Sequence, residues 1–216
     1  IVTDNNANVD FCEATVNVQD NVPPVALCQD ITIDLDVTGN VSITPADVDN
    51  GSNVACGIEG MLVFGNTFDC TNIGVNTVTL TVTDVNANSS ECEANVTVQD
   101  VTPPDAICQN IDITLDALGQ ASIVPADVDN NSTDNCAIVG EVVFPNAFTC
   151  TEVGVNTVTL TLFDAQSNAN SCLAIVNVID DMPPSAVCQA ATVVLDAFGE
   201  VDLTPGEVDG GSADNC

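Results

Sequence analysis

The side chains that could do chemistry in this chain are carboxylates and thiols. Its 216 residues include 32 Asp and Glu and 11 Cys, but no Lys, Arg, His, Tyr or Trp. Most of the usual general bases are therefore missing, and a Ser or Cys nucleophile has no partner to activate it. Paired carboxylates alone can hydrolyse a glycoside, but the Trp and Tyr side chains that normally line a sugar cleft are absent. We predict that the chain is not an enzyme, with a carboxylate-based glycan hydrolase module as the remote alternative.

The cysteines indicate an oxidising compartment. No two of them form a CxxC pair, and no His is present to complete a zinc site. Eleven thiols are unusual in a reduced cytosol, whereas disulfides are common in extracellular proteins. We therefore predict a disulfide-bonded extracellular protein.

The charge of the chain excludes two kinds of partner. Its formal net charge is −32 because no basic side chain offsets the carboxylates. Binding to nucleic acid or to an anionic membrane surface needs cationic side chains, so neither is expected. No apolar run reaches the length of about 18 residues that crosses a membrane, and we predict no membrane insertion. Self-repulsion of this size must be offset by cross-links, bound cations or salt.

An internal repeat organises the whole chain. The Pro-Pro pairs and the cysteines recur at one constant interval, which is the interval from Pro23 to Pro103, and the segment GVNTVTLT occurs twice at the same interval. Residues 22–100 and 102–180 are therefore two complete repeats. Residues 1–20 match the end of a repeat, and residues 182–216 match the beginning of one. We expect these to be the C-terminal end of a preceding repeat and the N-terminal part of a following repeat in a longer array.

The repeat is predicted to fold as a β-sandwich. Val78, Leu80 and Val82 alternate with Thr residues, and this period of two favours strands. Clusters of Gly, Asn and Asp separate such runs, and no helical pattern of useful length is present. About seven short strands per repeat are typical of an immunoglobulin-like fold. We therefore predict an all-β protein of tandem, disulfide-stapled immunoglobulin-like Greek-key β-sandwich repeats, with the Pro-Pro pairs at the domain boundaries.

Two disulfide patterns are compatible with the cysteine spacing. One forms Cys92–Cys108 and Cys172–Cys188 across the linkers, where the nearly extended chain between the two cysteines of each pair would hold their sulfurs far apart. The other joins the first and last strands of each repeat, which can lie side by side and parallel, and adds a local bond in each repeat. This favoured pattern comprises Cys28–Cys92, Cys108–Cys172, Cys56–Cys70 and Cys136–Cys150.

Acidic loops make calcium the candidate cofactor, because calcium prefers oxygen ligands. The first group of candidate ligands has a D-x-D-x-x-S spacing and comprises Asp47, Asp49, Asn50, Ser52, Asp127, Asp129, Asn130, Ser132 and Asp134. The second group lies between the last two strands of a repeat and comprises Asp84, Asn86, Asn88, Asp164 and Asn168. Both patterns are also typical of turns, because Asp and Asn side chains bind nearby backbone. Turn formation is the favoured interpretation for the second group, and both interpretations stay open for the first.

A third set of carboxylates flanks the Pro-Pro pairs and includes Asp20, Asp100 and Asp180. Calcium bound there would stiffen the junction between repeats. Solvated linker charge is the favoured interpretation, so these residues are not among the predicted ligands.

The sequence resembles the hyalin repeat. The resemblance is carried by PPVALCQ at 23–29, DVDNGS at 47–52 and GVNTVTLTVTDVNANSSECEANVTVQD at 74–100, and it extends over the complete and the partial repeats. It is especially similar to the tandem hyalin repeats of very long surface proteins of Bacteroidetes, including gliding-motility adhesins. The family commonly has Cys-Pro where this chain has Cys28-Gln29. The resemblance implies an immunoglobulin-like fold, an extracellular adhesive or spacer role, and no enzymatic activity.

These observations predict a structural or adhesive segment of a long extracellular surface protein, which acts as a rigid stalk or fibre with calcium as the candidate stiffening ion. Its expected partners are the neighbouring repeats of the same chain. The alternative is a self-assembling extracellular filament or sheath, in which copies of the chain contact one another. An exposed apolar patch would favour assembly, and a uniformly acidic surface would favour a solitary stalk.

Overall fold

Short strands dominate the computed structural model, which describes all 216 residues. The three α-helices are single short turns, and no helix is both long and apolar enough to span a membrane. The chain forms two compact units: unit 1 comprises residues 1–35 and 40–99, and unit 2 comprises residues 36–39 and 100–216. Both units are built from β-sheets, which confirms the predicted fold class.

Unit 1 contains a β-hairpin followed by the strands of a two-sheet repeat. Its elements are β1 (Val2–Thr3), β2 (Val9–Asp10), β3 (Ile31–Asp34), β4 (Asn40–Ser42), α1 (Pro45–Val48), β5 (Ile58–Phe64), β6 (Thr67–Asp69), a 3-10 turn (Cys70–Asn72), β7 (Gly74–Asp84) and β8 (Ser89–Gln99). One sheet has the order β3-β8-β7-β5, and β4 pairs with β6 in a second sheet. The pairing of β3 with β8 is parallel, and the other pairs are antiparallel.

Unit 2 repeats this arrangement in the second complete repeat. Its elements are β9 (Ile111–Thr114), β10 (Gln120–Ser122), α2 (Pro125–Val128), β11 (Ile138–Phe144), β12 (Ala147–Thr149), a 3-10 turn (Cys150–Glu152), β13 (Gly154–Asp164), β14 (Ala169–Ile179) and α3 (Pro205–Val208). The larger sheet has the order β9-β14-β13-β11, and β10 pairs with β12. Strand β9 is parallel to β14.

The core of each unit comes from the apolar side of the alternating strands. In β7, Val78, Leu80 and Val82 are buried, whereas the Thr side chains between them are partly exposed. The equivalent positions of the second repeat fill the core of unit 2, which consists of Leu115, Ile123, Val128, Val143, Phe148, Val158, Leu160, Leu162, Ala174, Val176 and Val178. Aliphatic side chains around a single Phe therefore exclude water from a core that lacks Trp and Tyr.

Each repeat has six strands, compared with the expected number of about seven, and a short helix follows the second of them. Pro45 begins α1, where its fixed φ suits the first helical position. The Asp47 carboxylate accepts hydrogen bonds from the backbone N–H of Thr44 at 2.6 Å and from its hydroxyl at 2.7 Å. These bonds stabilise the single turn of α1.

Two predicted disulfides are present in the structure. Cys28–Cys92 and Cys108–Cys172 each have a Cα–Cα distance of 5.8 Å, within the range that a disulfide spans. Each connects the segment before the first strand of the larger sheet to the last strand. The parallel pairing of these two strands brings the cysteines together.

The predicted local bonds Cys56–Cys70 and Cys136–Cys150 are wrong. Cys56 is free, and Cys150 is bonded to Cys216 with a Cα–Cα distance of 5.4 Å. The local bonds would require β5 to pair with β6, and β11 with β12, as hairpins. Instead, β5 and β11 pair within the larger sheets and β6 and β12 within the smaller ones. The Cys150–Cys216 bond therefore joins the complete repeat of unit 2 to the segment that follows it.

Candidate metal centre

Unit 2 brings three carboxylates together. One oxygen each of Asp100, Asp134 and Asp164 lies within 4.8 Å of the other two, and we call this group the acidic cluster. Asp100 precedes the Pro-Pro pair, Asp134 lies in the loop between α2 and β11, and Asp164 ends β13. Asp100 and Asp164 are each only 3% exposed, and Asp134 is half-buried. The cluster therefore concentrates negative charge away from water.

Asp164 is held by the turn between β13 and β14. Its Oδ1 accepts hydrogen bonds from the backbone N–H of Gln166 at 2.9 Å and of Asn168 at 2.8 Å, and its Oδ2 accepts one from Asn168 Nδ2 at 2.7 Å. Asp84 makes the corresponding three bonds with Asn86 and Asn88 in unit 1. The D-x-N-x-N spacing thus forms the turn that was the favoured interpretation of the second ligand group.

Asp100 and Asp134 each use one oxygen for hydrogen bonds and leave the other without a partner. Asp100 Oδ1 accepts bonds from the backbone N–H of Thr102 and from Asn135 Nδ2, both at 3.1 Å. Asp134 Oδ2 accepts bonds from the backbone N–H groups of Cys136 and Ala137, both at 2.9 Å. Asp100 Oδ2 and Asp134 Oδ1 are buried and accept no hydrogen bond, although a buried carboxylate oxygen normally has a partner.

No basic side chain can neutralise the acidic cluster, because the chain has no Lys, Arg or His. Two carboxylates 4.8 Å apart repel each other by about 3 kcal/mol at an effective dielectric constant of about 20. A bound cation would relieve this repulsion.

The corresponding positions in unit 1 are Asp20, Val54 and Asp84, so the third carboxylate is missing there. Asp20 Oδ2 accepts a hydrogen bond from Asn86 Nδ2 at 3.2 Å. Asp20 Oδ1 accepts a second hydrogen bond, from the backbone N–H of Val22 at 3.0 Å. Hydrogen-bond donors therefore surround the linker carboxylate of unit 1.

Asp84 is fully buried beside these donors. Burial by itself raises the pKa of Asp84, but the hydrogen bonds from Asn88 and Asn86 outweigh burial and lower it. The buried carboxylate of unit 1 is thus stabilised in its charged form by the protein itself.

Part of the acidic arrangement recurs at the end of unit 2. Asp180 Oδ1 accepts a hydrogen bond from Asn215 Nδ2 at 3.2 Å, as Asp100 does from Asn135. The tripeptide Asp-Asn-Cys occupies both 134–136 and 214–216. This end therefore carries the counterparts of Asp100 and Asp134.

The first predicted ligand group is engaged in local hydrogen bonds. Asp47 bonds to Thr44, and Asp49 accepts the backbone N–H groups of Gly51 at 3.2 Å and of Ser52 at 3.0 Å. Ser52 Oγ in turn accepts the backbone N–H of Leu27 at 2.9 Å. In unit 2 the equivalent bonds are made by Asp127, Asp129 and Ser132. Asn50 and Asn130 donate backbone N–H groups to the carbonyls of Leu27 and Ile107.

The acidic cluster takes one residue from each set of carboxylates in the sequence. Asp134 belongs to the first group, Asp164 to the second, and Asp100 to the linker set that was expected to be solvated. The sequence signal that could have linked them is the change from Val54 to Asp134 between repeats that otherwise match closely. Calcium binding at the other residues of the two groups stays a prediction.

Comparisons with known proteins identify no family. No family model matches the sequence, and no curated protein matches it. Similar solved structures are extracellular cadherin domains. Protocadherin gamma B7 domains 1–4 are 12% identical with a TM-score of 0.36, over 79% of this chain and 54% of that one. Human protocadherin-24 EC1-2 is 12% identical with a TM-score of 0.40, over 74% and 100% of the two chains. Drosophila N-cadherin EC1-4 is 12% identical with a TM-score of 0.43, over 74% and 50%.

The chain spans 54% of the protocadherin gamma B7 structure and half of the N-cadherin structure. TM-scores this low carry no argument about function. The resemblance to hyalin repeats stays a prediction.

Proposed function

We propose that the chain is a load-bearing segment of a long extracellular surface protein, with a structural or adhesive role and no catalytic one. Interlocked disulfides in unit 2 carry this proposal. The bonds Cys108–Cys172 and Cys150–Cys216 enclose overlapping stretches, because Cys150 lies between Cys108 and Cys172 in the sequence, and Cys172 lies between Cys150 and Cys216. The neighbouring repeats of the same chain are then its principal partners.

Interlocked bonds shorten the covalent path through unit 2. From Cys108 the shortest route crosses to Cys172, runs back along the backbone to Cys150, and crosses to Cys216. Without the bonds, the route follows the whole backbone from Cys108 to Cys216. At about 3.5 Å per extended residue, and with the two disulfides included, the maximum reach is about 90 Å with the bonds instead of about 380 Å without them. A pulling force therefore cannot extend this part of the chain far while the disulfides are intact, which suits a stalk under tension.

The chemistry of the chain supports an extracellular location. Disulfides persist in oxidising compartments, and the bonds of unit 2 connect one repeat to the next as well as stapling the repeat itself. The cell-surface assignment rests on the resemblance to hyalin repeats. Calcium is the proposed stiffening ion.

Force spectroscopy tests the load path. With handles at the exposed Val101 and at the C-terminus, the variant C150S/C216S replaces the return to Cys150 by the longer backbone stretch from Cys172 to residue 216. We expect it to extend about 7 nm further than the oxidised parent. The control C12S/C188S removes only free cysteines and should not change the extension. Equal extension of the parent and C150S/C216S would contradict the load path.

Antibody labelling tests the location. An antibody raised against the chain should label intact cells that make the parent protein, and brief external proteolysis should remove the label. Labelling that needs permeabilised cells would overturn the proposed function.

A second candidate function, self-assembly, is favoured by an apolar outer face on unit 2. Phe144 on β11 is 73% exposed and Leu173 on β14 is 69% exposed, and both are paired in register with Thr159 of β13 between them. In unit 1 the corresponding row is Phe64, Thr79 and Glu93. An exposed apolar patch of this kind suits contact with another copy of the chain.

Sedimentation analysis tests the second candidate. If copies associate through this face, the chain should form dimers or larger species at high concentration, and L173E should return it to a monomer. The control L118E changes another exposed Leu, which lies in a turn, and should leave association unchanged. A parent chain that stays monomeric, or association that L118E weakens equally, would exclude this face as an assembly surface.

A further inference from the structure

We propose that Asp100, Asp134 and Asp164 bind one calcium ion. The site deepens the proposed function and rests on it for one point only, which is that calcium is plentiful outside cells. The binding site itself is inferred from the geometry and burial of the acidic cluster.

The spacing of the carboxylates fits one shared ion. Calcium binds oxygen at about 2.3–2.6 Å, so two ligands of the same ion can be at most about 5 Å apart. The oxygens of the acidic cluster lie within 4.8 Å of one another. Backbone N–H groups hold one oxygen of each carboxylate. The remaining oxygens are therefore positioned before an ion arrives.

The burial of two unpartnered oxygens points to a ligand. Asp100 is 97% buried, the complement of its 3% exposure, and its Oδ2 accepts no hydrogen bond. Asp134 Oδ1 is buried without a partner as well. Removing charged oxygens from water without a partner is strongly unfavourable. A bound cation would compensate the charge of these oxygens, because the chain has no basic side chain that could do so.

Comparison with unit 1 shows which residues the turn requires and which it does not. Asp84 makes the same turn bonds as Asp164 without any third carboxylate nearby, so the turn does not require Asp134. In unit 1, Asn86 donates to the second oxygen of Asp20. In unit 2, Gln166 replaces Asn86, and the equivalent oxygen of Asp100 has no donor. Unit 2 thus leaves the second oxygen of Asp100 without a hydrogen-bond donor, whereas unit 1 supplies a donor to the equivalent oxygen of Asp20. A cation site requires such a free acceptor.

The ligand chemistry favours calcium over magnesium. All the cluster ligands are carboxylate oxygens, from two loops and from the end of β13. Calcium tolerates flexible geometry with six to eight ligands, whereas magnesium demands a near-ideal octahedron. Extracellular calcium modules commonly bind with dissociation constants of about 10⁻⁴ to 10⁻³ M. We expect an affinity in that range.

Thermal unfolding of the whole oxidised chain, followed by far-ultraviolet circular dichroism or calorimetry, tests the site. Intrinsic fluorescence is unsuitable because the chain has no Trp or Tyr. Against EDTA, about 10 mM calcium should raise the melting temperature of one transition by about 5 °C. Magnesium at the same ionic strength should raise it much less.

Two matched variants separate binding from charge screening. D134N removes one cluster ligand and should abolish the calcium-dependent shift. E141Q makes the same change of charge at an exposed position on β11 and should retain the shift. Native mass spectrometry at limiting calcium should find one preferred ion on the parent and on E141Q, and none on D134N.

Three outcomes would overturn the proposal. A parent chain whose melting is indifferent to calcium would indicate that the acidic cluster binds no calcium ion. Equal shifts in the parent and D134N would indicate non-specific screening, and equal effects of magnesium would remove the preference for calcium. Cell labelling and calcium binding fail independently, because the binding measurement does not depend on where the parent protein is located.

Discussion

The two junctions at Asp20 and at Asp100 use the same turn but surround the linker carboxylate with opposite chemistry. In unit 1, Asn86 Nδ2 and the backbone N–H of Val22 donate hydrogen bonds to Asp20. In unit 2, Asp100 faces the carboxylates of Asp134 and Asp164. The core positions and the long disulfide are shared by the two repeats. The same fold therefore surrounds the linker carboxylate either with hydrogen-bond donors or with two further carboxylates that could share a cation.

The difference arises at a few positions. Val54 becomes Asp134 and Asn86 becomes Gln166 between the two repeats. One substitution adds an acceptor, and the other removes a donor. The surroundings of the linker carboxylate thus differ between the two repeats although their strand order is the same.

The largest effect is expected from installing the missing carboxylate in unit 1. The variant V54D should lower the unfolding free energy by about 1–3 kcal/mol without calcium, because a half-buried carboxylate would meet Asp20 and Asp84 without a compensating charge. Calcium should recover part of that loss. Urea unfolding followed by circular dichroism, with EDTA or calcium, measures both values.

The variant V54N is the control for V54D, because it has the same shape without the charge. It should lose less stability and should not respond to calcium. Equal losses for V54D and V54N under both conditions would mean that shape, not charge, distinguishes the two junctions.

A smaller effect is expected from neutralising the buried turn carboxylate in each unit. Without calcium, D84N should lower the urea midpoint, since the charged form of Asp84 is the form that its hydrogen bonds favour. D164N should leave the unfolding free energy unchanged within about 0.5 kcal/mol or raise it, because it removes repulsion within the acidic cluster. A midpoint that falls equally in both variants would contradict the difference inferred between the surroundings of Asp20 and those of Asp100.

The sequence was sufficient for the fold because its signals are local or periodic. The alternation of Val78, Leu80 and Val82 with Thr predicted the buried face of β7. The Cys28–Cys92 bond followed from parallel first and last strands, which β3 and β8 form. The prediction of a Cys56–Cys70 bond was wrong because the spacing of these cysteines fits a hairpin, whereas β5 and β6 belong to different sheets.

The acidic cluster was only partly predictable for the same reason. Asp134 and Asp164 were candidate ligands in separate groups, and Asp100 was assigned to solvent. The three residues are far apart in the sequence, and only the folded loops bring them together. Sequence spacing indicates which residues form a turn, but not which turns meet.

The smallest effect on stability is expected at the helix caps, where Thr44 of unit 1 corresponds to Val124 of unit 2. Asp47 accepts two hydrogen bonds from Thr44, whereas Asp127 accepts one, from the backbone N–H of Val124 at 2.7 Å. We expect D47N to cost about 1 kcal/mol of unfolding free energy and D127N about half as much, because capping bonds at exposed positions are weak. Urea unfolding at neutral pH measures both losses.

The pH dependence of the loss in D47N identifies its origin. The backbone N–H and then the hydroxyl of Thr44 lower the pKa of Asp47 below its ordinary value of 3.8. The folded state therefore binds this proton less readily than the unfolded state, so the contribution is complete above that value and is lost as pH falls through the lowered pKa. The difference between the parent and D47N should shrink below about pH 4. A loss in D47N that is constant down to about pH 2.5 would show that the shape of the cap, and not its charge, stabilises α1.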